Sequence, residues 1–236
     1  MINRLTDTLL NTVYPKRCPL CDGLLKRNEP LICRRCAADF SFIKGRTCKR
    51  CGRLLKSLYE EECFECLKHE PLFDIAFAPF KYTGDIRESL VRFKYHGRAE
   101  YASFYAKSIW AYGEQIIKKF APDVIINVPV YRKRLAARGY DQAWLIAYEL
   151  SKVSGIKVYK NAVKRIRNTT AQKELGSEER RRNIKGAFEL SGKADIPKRV
   201  LLIDDILTTG STADAVCRVL KEGGAEHICL AVAAVS

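Results

Sequence analysis

The 236-residue sequence is short of histidine, with three, and of acid, with 27 Asp and Glu against 42 Lys and Arg. It has no apolar run of bilayer-spanning length, which excludes a helical membrane span. No secretory leader precedes the first cysteines, so the sequence predicts a reducing cytoplasmic setting in which thiols stay free of disulfides. The deficit of acid gives a formal net charge of +15. From Pro71 onward there are 28 Lys and Arg against 18 Asp and Glu, a surplus of +10, so most of the charge belongs to the second part of the chain. Such a surface attracts polyanions. Solubility alone is the alternative explanation of the surplus.

Cysteine is abundant, with ten residues. Eight of them form four C-x-x-C pairs, Cys18–Cys21, Cys33–Cys36, Cys48–Cys51 and Cys63–Cys66, each starting 15 residues after the last. Two thiolates separated by two residues grip one metal ion from a tight knuckle, and two knuckles complete a tetrahedral shell. A repeat this regular implies two similar modules and two zinc ions. The simplest pairing gives Cys18, Cys21, Cys33 and Cys36 to one ion and Cys48, Cys51, Cys63 and Cys66 to the other; spacing alone leaves an interleaved pairing open. Iron–sulfur ligation is disfavoured by the symmetry of the knuckles. Catalytic zinc keeps an open position and recruits histidine or carboxylate, whereas eight cysteines close two sites, so both ions are expected to be structural. His69 reads as a surface residue. With eight thiolates and two zinc ions the formal charge falls to about +11.

The cysteine repeat stops near Glu70–Pro71, which suggests a zinc module over residues 1–70 and a second domain over 71–236. Ile2, Leu5, Leu9, Leu10 and Val13 pattern a short amphipathic helix ahead of the module. Beyond the boundary, strands are expected over 73–82, 123–128, 163–165, 188–190, 200–204 and 227–235. Helices are expected over 85–95, 101–120, 141–153 and 178–183. Alternating strands and helices predict an α/β fold with an open, mostly parallel sheet covered on both faces, whose ligands bind outside the carboxyl ends of the strands. Cys217 and Cys229 read as core thiols.

Val200–Ala215 carries the most chemistry. An apolar run ends in two carboxylates, Asp204 and Asp205, and is followed by Thr208, Thr209, Gly210, Ser211 and Thr212 at the start of a helical pattern. Hydroxyls and free backbone N–H groups at a helix's positive end make an anion cradle, which fits phosphate. Carboxylates beside it suit the hydroxyls of a sugar. Together they describe a ribose 5-phosphate moiety. An ordinary capped turn would explain a lone Thr-Thr-Gly but not the ordered set. A second segment follows the strand at 123–128: Pro129, Val130, Tyr131, Arg132, Lys133 and Arg134, with Arg138 further on. Four cations in seven residues usually form a solvated run; directly after a central strand they suit a diphosphate.

At Val200–Ala215 the chain resembles the type I phosphoribosyltransferases. That resemblance implies that Asp204 and Asp205 hold the ribose hydroxyls of phosphoribosyl pyrophosphate, and that Thr208–Thr212 hold its 5-phosphate. It also assigns the diphosphate to the loop Val130, Tyr131, Arg132 and Lys133, through backbone amides and with magnesium chelated to the ligand. Three further stretches narrow the resemblance to the ComF family: Arg138-Gly139-Tyr140-Asp141-Gln142, then Gln172…Arg180…Asn183…Ala187-Phe188, and Phe93-Lys94-Tyr95 with Gly97. The family's amino-terminal cysteine ribbon is doubled here. The polar stretch 165–185, with Gln172, Arg180, Arg181 and Arg182, has the composition of a flap that closes over an anionic site.

The family resemblance further implies a cytoplasmic DNA-uptake factor beside the membrane uptake machinery. Its expected partners are phosphoribosyl pyrophosphate, single-stranded DNA, and a helicase-like ATPase or recombination mediator. An active phosphoribosyltransferase with an unassigned acceptor base, and a metabolite sensor without turnover, remain the alternatives. Tyr131, Tyr140, Phe93 and Tyr95 are candidates to stack bases.

Overall fold

The computed structural model describes residues 15–26, 28–57, 59–168, 177–192 and 195–236. The helix expected over Ile2–Val13 lies outside the described residues. In chain order the elements are α1 (Arg34–Asp39), α2 (Phe64–Lys68), β1 (Ile75–Phe77), β2 (Phe80–Lys81), α3 (Gly84–Tyr95), α4 (Tyr101–Phe120), β3 (Val124–Asn127), α5 (Arg132–Arg138), α6 (Gln142–Ser154), β4 (Val163–Arg165), α7 (Ser177–Ile184), β5 (Phe188–Leu190), β6 (Arg199–Leu207), α8 (Ser211–Glu222) and β7 (His227–Val235).

The main sheet is parallel throughout, in the order β1-β7-β6-β3, with β2 also paired to β7. β4 and β5 form a separate antiparallel pair. β7 is buried from Ile228 to Val235, as a strand covered on both faces must be. Its residues alternate between two cores. Ile228, Leu230 and Val232 join Val200 and Leu202 against α8, while Cys229, Ala231 and Ala233 join Leu201 and Ile203 against α3, α4 and α6. Cys217 and Cys229 are core thiols, as expected.

Three differences from the sequence reading matter for the site. The single strand expected over 73–82 is two short strands broken at Ala78-Pro79, where the Pro79 carbonyl accepts the Ile43 N–H at 2.8 Å. The strand expected to end at Asp204 runs on to Leu207, because β7 continues its ladder through Leu207↔Val235. The acidic pair therefore sits inside β6 rather than at its end. Finally, Arg132–Arg138 is a helix rather than an open loop, closed by Gly139 in the left-handed conformation.

The cysteine modules pack on opposite faces of the sheet. Cys48, Cys51, Cys63 and Cys66 lie in the same apolar cluster as Phe73, Leu207 and Ala213. Cys18 and Leu20 lie in the cluster of Leu90, Phe93 and Tyr101. There the carboxylate of Asp22 accepts from Arg98 (2.9 and 3.0 Å) and from the Tyr101 hydroxyl (2.6 Å). Among the described residues no helix is long and apolar enough to cross a membrane.

Candidate functional site

The site begins where β3 ends. β3 pairs with β6 only as far as Asn127↔Ile203, and Val128 makes the last bond to Ile203 O at 2.9 Å. β7 follows β6 four residues further. From Asp204 on, one edge of β6 is free of a neighbouring strand, and a crevice opens at the place where ligands enter such sheets. Two adjacent acids sit at this edge with partners of their own, Lys94 for Asp205 and the Asp205 N–H for Asp204.

Asp204 and Asp205 do not share one state. Burial, reinforced by the charge of Asp205, pushes Asp204 up to about 8, although the Asp205 N–H donates to its Oδ1 at 2.8 Å. Asp205 instead pairs with Lys94 Nζ at 2.8 Å, both side chains being largely buried. Burial, the largest single influence, pushes Lys94 down; the charge and hydrogen bond of Asp205, with nearby Asp204, together outweigh it and hold Lys94 above its ordinary value. The site thus holds an acid whose burial favours its protonated form beside the Lys94–Asp205 ion pair. Sequence reasoning quoted Lys94 only as part of a motif and gave it no role. Its partner lies 111 positions away, and no local pattern shows such a pair.

The motif residues explain how Lys94 is aimed. The Tyr140 hydroxyl donates to Phe93 O at 2.6 Å, its ring stacks on Phe93 at 6.0 Å, and the buried Gln142 amide reaches the same carbonyl at 3.4 Å. Arg138 lies 4.9 Å over the Tyr95 ring and donates to Gln142 Oε1 at 3.0 Å. Arg138 is therefore a clasp on α3 through Tyr95 and Gln142. Phe93 is fully buried, which removes it from the base-stacking candidates, and the Tyr140 hydroxyl is already bonded.

Asp141 caps α6 by accepting the Trp144 N–H at 2.9 Å, and its other oxygen accepts the Val130 N–H at 3.1 Å. Burial pushes Asp141 above the usual carboxylate range despite these bonds. The Val130 amide, expected to face a diphosphate, is committed to Asp141. Tyr131 stands at the amino end of α5, and Arg132 and Lys133 are exposed on its first turn. Cations at the positive end of a helix repel its dipole, so this corner carries concentrated positive potential.

Thr208 and Thr209 lead from β6 into Gly210, which precedes α8 with φ +79°, a conformation glycine adopts without steric cost. The first N–H groups of α8 have no intrahelical acceptor. Thr209 Oγ1 and Ser211 Oγ are 2.6 Å apart. Ser211 is buried, and Thr212 is half-buried. Asp204, Asp205 and the loop are thus consecutive on one sheet edge. Arg180, Arg181 and Arg182 fall in α7, with Arg182 exposed; Gln172 lies outside the described residues. A cavity of about 710 Å³ opens between α5, α6 and β4, lined by Tyr131, Trp144, Lys160, Lys164 and Arg165.

The cysteines resolve into the sequential pairing: Cys18, Cys21, Cys33 and Cys36 in one quartet, Cys48, Cys51, Cys63 and Cys66 in the other, all ligand sulfurs of each within 4.8 Å of one another. Tetrahedral zinc with Zn–S near 2.3 Å requires S···S of about 3.8 Å. Cys21–Cys33 at 3.7 Å and Cys51–Cys63 at 3.5 Å are close to that spacing. Backbone N–H groups point at the sulfurs, Cys33 to Cys18 at 3.4 Å and Cys63 to Cys48 at 3.3 Å. The hydrogen bond from Cys66 is the largest influence on Cys51, which is pushed down to about 5. Both quartets fit closed zinc sites, and His69 belongs to neither.

Family models agree with both parts: a double zinc ribbon domain matches residues 9–67, and a phosphoribosyl transferase domain matches residues 139–235. The chain is 32% identical to competence protein F of Haemophilus influenzae, over 90% of this chain and 93% of the relative. It is 26% identical to competence protein ComFC of Streptococcus pneumoniae, over 87% and 88%. A purine phosphoribosyltransferase from Pyrococcus horikoshii aligns over 59% of this chain and 83% of its own, with 22% identity and a TM-score of 0.33. With two four-cysteine ribbons joined to a transferase-type parallel sheet, and a relative matched along nearly its whole length, the chain belongs to the competence protein F family.

Proposed function

We propose that this protein binds phosphoribosyl pyrophosphate at the free end of β6 and single-stranded DNA along the basic rim beside it, as a DNA-uptake factor on a ligand-competent transferase fold. The observation that carries the reading is the sequence of groups along one edge: Lys94–Asp205, Asp204 with its protonated form favoured, then Thr208–Thr212 opening α8. In this reading the acids accept the ribose hydroxyls, the loop takes the 5-phosphate, and the diphosphate lies toward Arg132 and Lys133 with magnesium chelated to it. When bound, magnesium would neutralise diphosphate charge. Lys94 would leave Asp205 as the diol arrives, which keeps the carboxylate ionised until then.

DNA is supported by the aromatic pair that extends outward from the cavity wall at Trp144. Trp144 stacks on the exposed Tyr148 at 6.0 Å, Lys160 lies 4.9 Å over Trp144, and Lys152 lies 4.2 Å over Tyr148. Aromatic faces flanked by cations suit successive bases and their phosphates. Turnover is the second reading, favoured by the size of the 710 Å³ cavity beside the crevice, which admits a nucleobase. Titrating a fluorescent oligothymidylate with and without phosphoribosyl pyrophosphate separates these readings. We expect micromolar binding that weakens with salt at a log–log slope of about −0.7 per phosphate contact, and partial competition by the ligand. No oligonucleotide binding at low salt, with pyrophosphate released in the presence of a nucleobase, would replace this account with a plain transferase. Ligand binding with neither DNA binding nor turnover would leave a metabolite sensor.

A further inference from the structure

The two ribbons are internal copies thirty positions apart, and their knuckles close identically: Cys18 N–H to Gly23 O at 2.8 Å, Cys48 N–H to Arg53 O at 2.7 Å. The flanking bridges correspond as well, Arg17 with Leu24 and Thr47 with Leu54. At the closing position the first copy has Gly23 and the second has Arg53. A knuckle therefore needs no side chain there, and the arginine serves something else.

Its guanidinium is bonded on three sides. Nη2 donates to Thr208 O at 2.5 Å, Nε donates to Ser236 O at 2.5 Å, and Nη1 lies 3.7 Å from the sulfur of Cys63. Thr208 is the first residue of the phosphate loop. A trans peptide is planar, so holding the Thr208 carbonyl toward the ribbon turns the Thr209 N–H the other way. The Ser236 N–H in turn donates to Leu207 O at 3.1 Å, which fixes the strand just before the loop. The ribbon is itself anchored: Ala76 N–H donates to Arg50 O at 2.5 Å, and Gly52, at φ +71°, sits so close to β1 that a Cβ would meet Ala76 O at 2.9 Å. Leu72 N–H, just past the ribbon, donates to Asp214 Oδ1 in the first turn of α8 at 2.9 Å.

We propose that Arg53 is a positioning residue through which the second metal site sets the geometry of the phosphate loop, so that zinc at Cys48, Cys51, Cys63 and Cys66 and an anion at Thr208–Thr212 favour each other. The first quartet braces α3 and α4, where Arg92 donates to Leu20 O at 2.8 Å, and has no contact of this kind with the loop among the described residues. The coupling is reciprocal by linkage: what zinc does for phosphate affinity, phosphate does for zinc retention. The inference rests on the reading of Thr208–Thr212 as a phosphate site.

The test challenges the zinc-loaded full chain with a chelator and follows alkylation of each cysteine peptide by mass spectrometry, with and without ribose 5-phosphate, whose binding is measured in parallel. We expect ribose 5-phosphate to slow alkylation of the second quartet about fivefold to tenfold and to leave the first unchanged. Arg53→Met should lower ribose 5-phosphate affinity by about tenfold, as loss of a charge-assisted bond to the loop implies, and should abolish the selective protection; Arg53→Lys should restore part of it. If ribose 5-phosphate binds but protects both quartets equally, or neither, the coupling is wrong while the phosphate site stands. If it does not bind at millimolar concentration, both fail. Should Arg53→Met not fold, the wild-type comparison between quartets decides alone.

Discussion

Replacing Lys94 by Met removes one member of a buried ion pair and leaves two adjacent carboxyl groups without a cation. Lys94 and Asp205 keep only 18% and 16% of their side-chain surface exposed, so solvent does little to screen the change. Breaking such a pair from one side costs about 3–5 kcal/mol. In a chain of this length that corresponds to a fall in Tm of roughly 6–20 °C. The sign of the pH dependence follows from the acids. Asp204 already sits near 8 in the fold, well above its unfolded value, and Lys94 is one of the influences that hold it down, so its loss raises Asp204 further. The native state then holds up to one more proton than the unfolded chain between pH 5 and 8, and the variant keeps it to higher pH than the wild type. Stability must fall as pH rises, by up to about 1.4 kcal/mol per pH unit for each extra proton. Urea unfolding of Lys94→Met and wild type at pH 5, 6.5 and 8 should therefore show a gap that is smallest at pH 5 and widest at pH 8. A gap that stays constant, or that is absent at pH 8, would refute the influence of Lys94 on these acids; the elevation of Asp204 itself is read from the fall in wild-type stability between pH 5 and 8.

Two other outcomes follow from the same geometry. Asp204→Asn should stabilise the ligand-free protein above pH 8, where the wild type must ionise a buried acid, and should change little below pH 4, where both states are protonated; thermal melts at these extremes check it. Metal analysis should find two zinc ions per chain. Chelation should unfold residues 18–66 first, read by limited proteolysis; a single zinc at full occupancy or disulfides under native conditions would contradict the quartets.

Much of the fold was legible in the sequence. The helix Tyr101–Phe120 and the strands at 163–165, 188–190 and 227–235 have the expected bounds; the helix and the last strand carry clean apolar patterns, whereas 163–165 and 188–190 are short segments that pair with each other. The 15-residue cysteine spacing specified eight ligands for two metal sites, and the structure chose the sequential pairing. What escaped was non-local. β6 outruns its apolar stretch because β7 supplies a ladder past the acids. The helix at Arg132–Arg138 was hidden by its charge, although Leu135, Ala136, Ala137 and the closing Gly139 carried a helical signal. Arg138 and Tyr140 read as ligand groups, yet they are spent on Tyr95 and Phe93, residues of another helix. Lys94 and Arg53 act through partners more than a hundred residues away, which no local pattern records.

The most direct test is isothermal calorimetry of phosphoribosyl pyrophosphate with magnesium against the wild type and against Asp204→Asn with Asp205→Asn. The double variant keeps the shape of both side chains and removes the acid groups that would accept the ribose hydroxyls; because it also leaves Lys94 without its partner, binding is measured well below the variant's own Tm. The account predicts saturable one-to-one binding to the wild type and none to a variant that still melts cooperatively. Equal affinity in both proteins would contradict it.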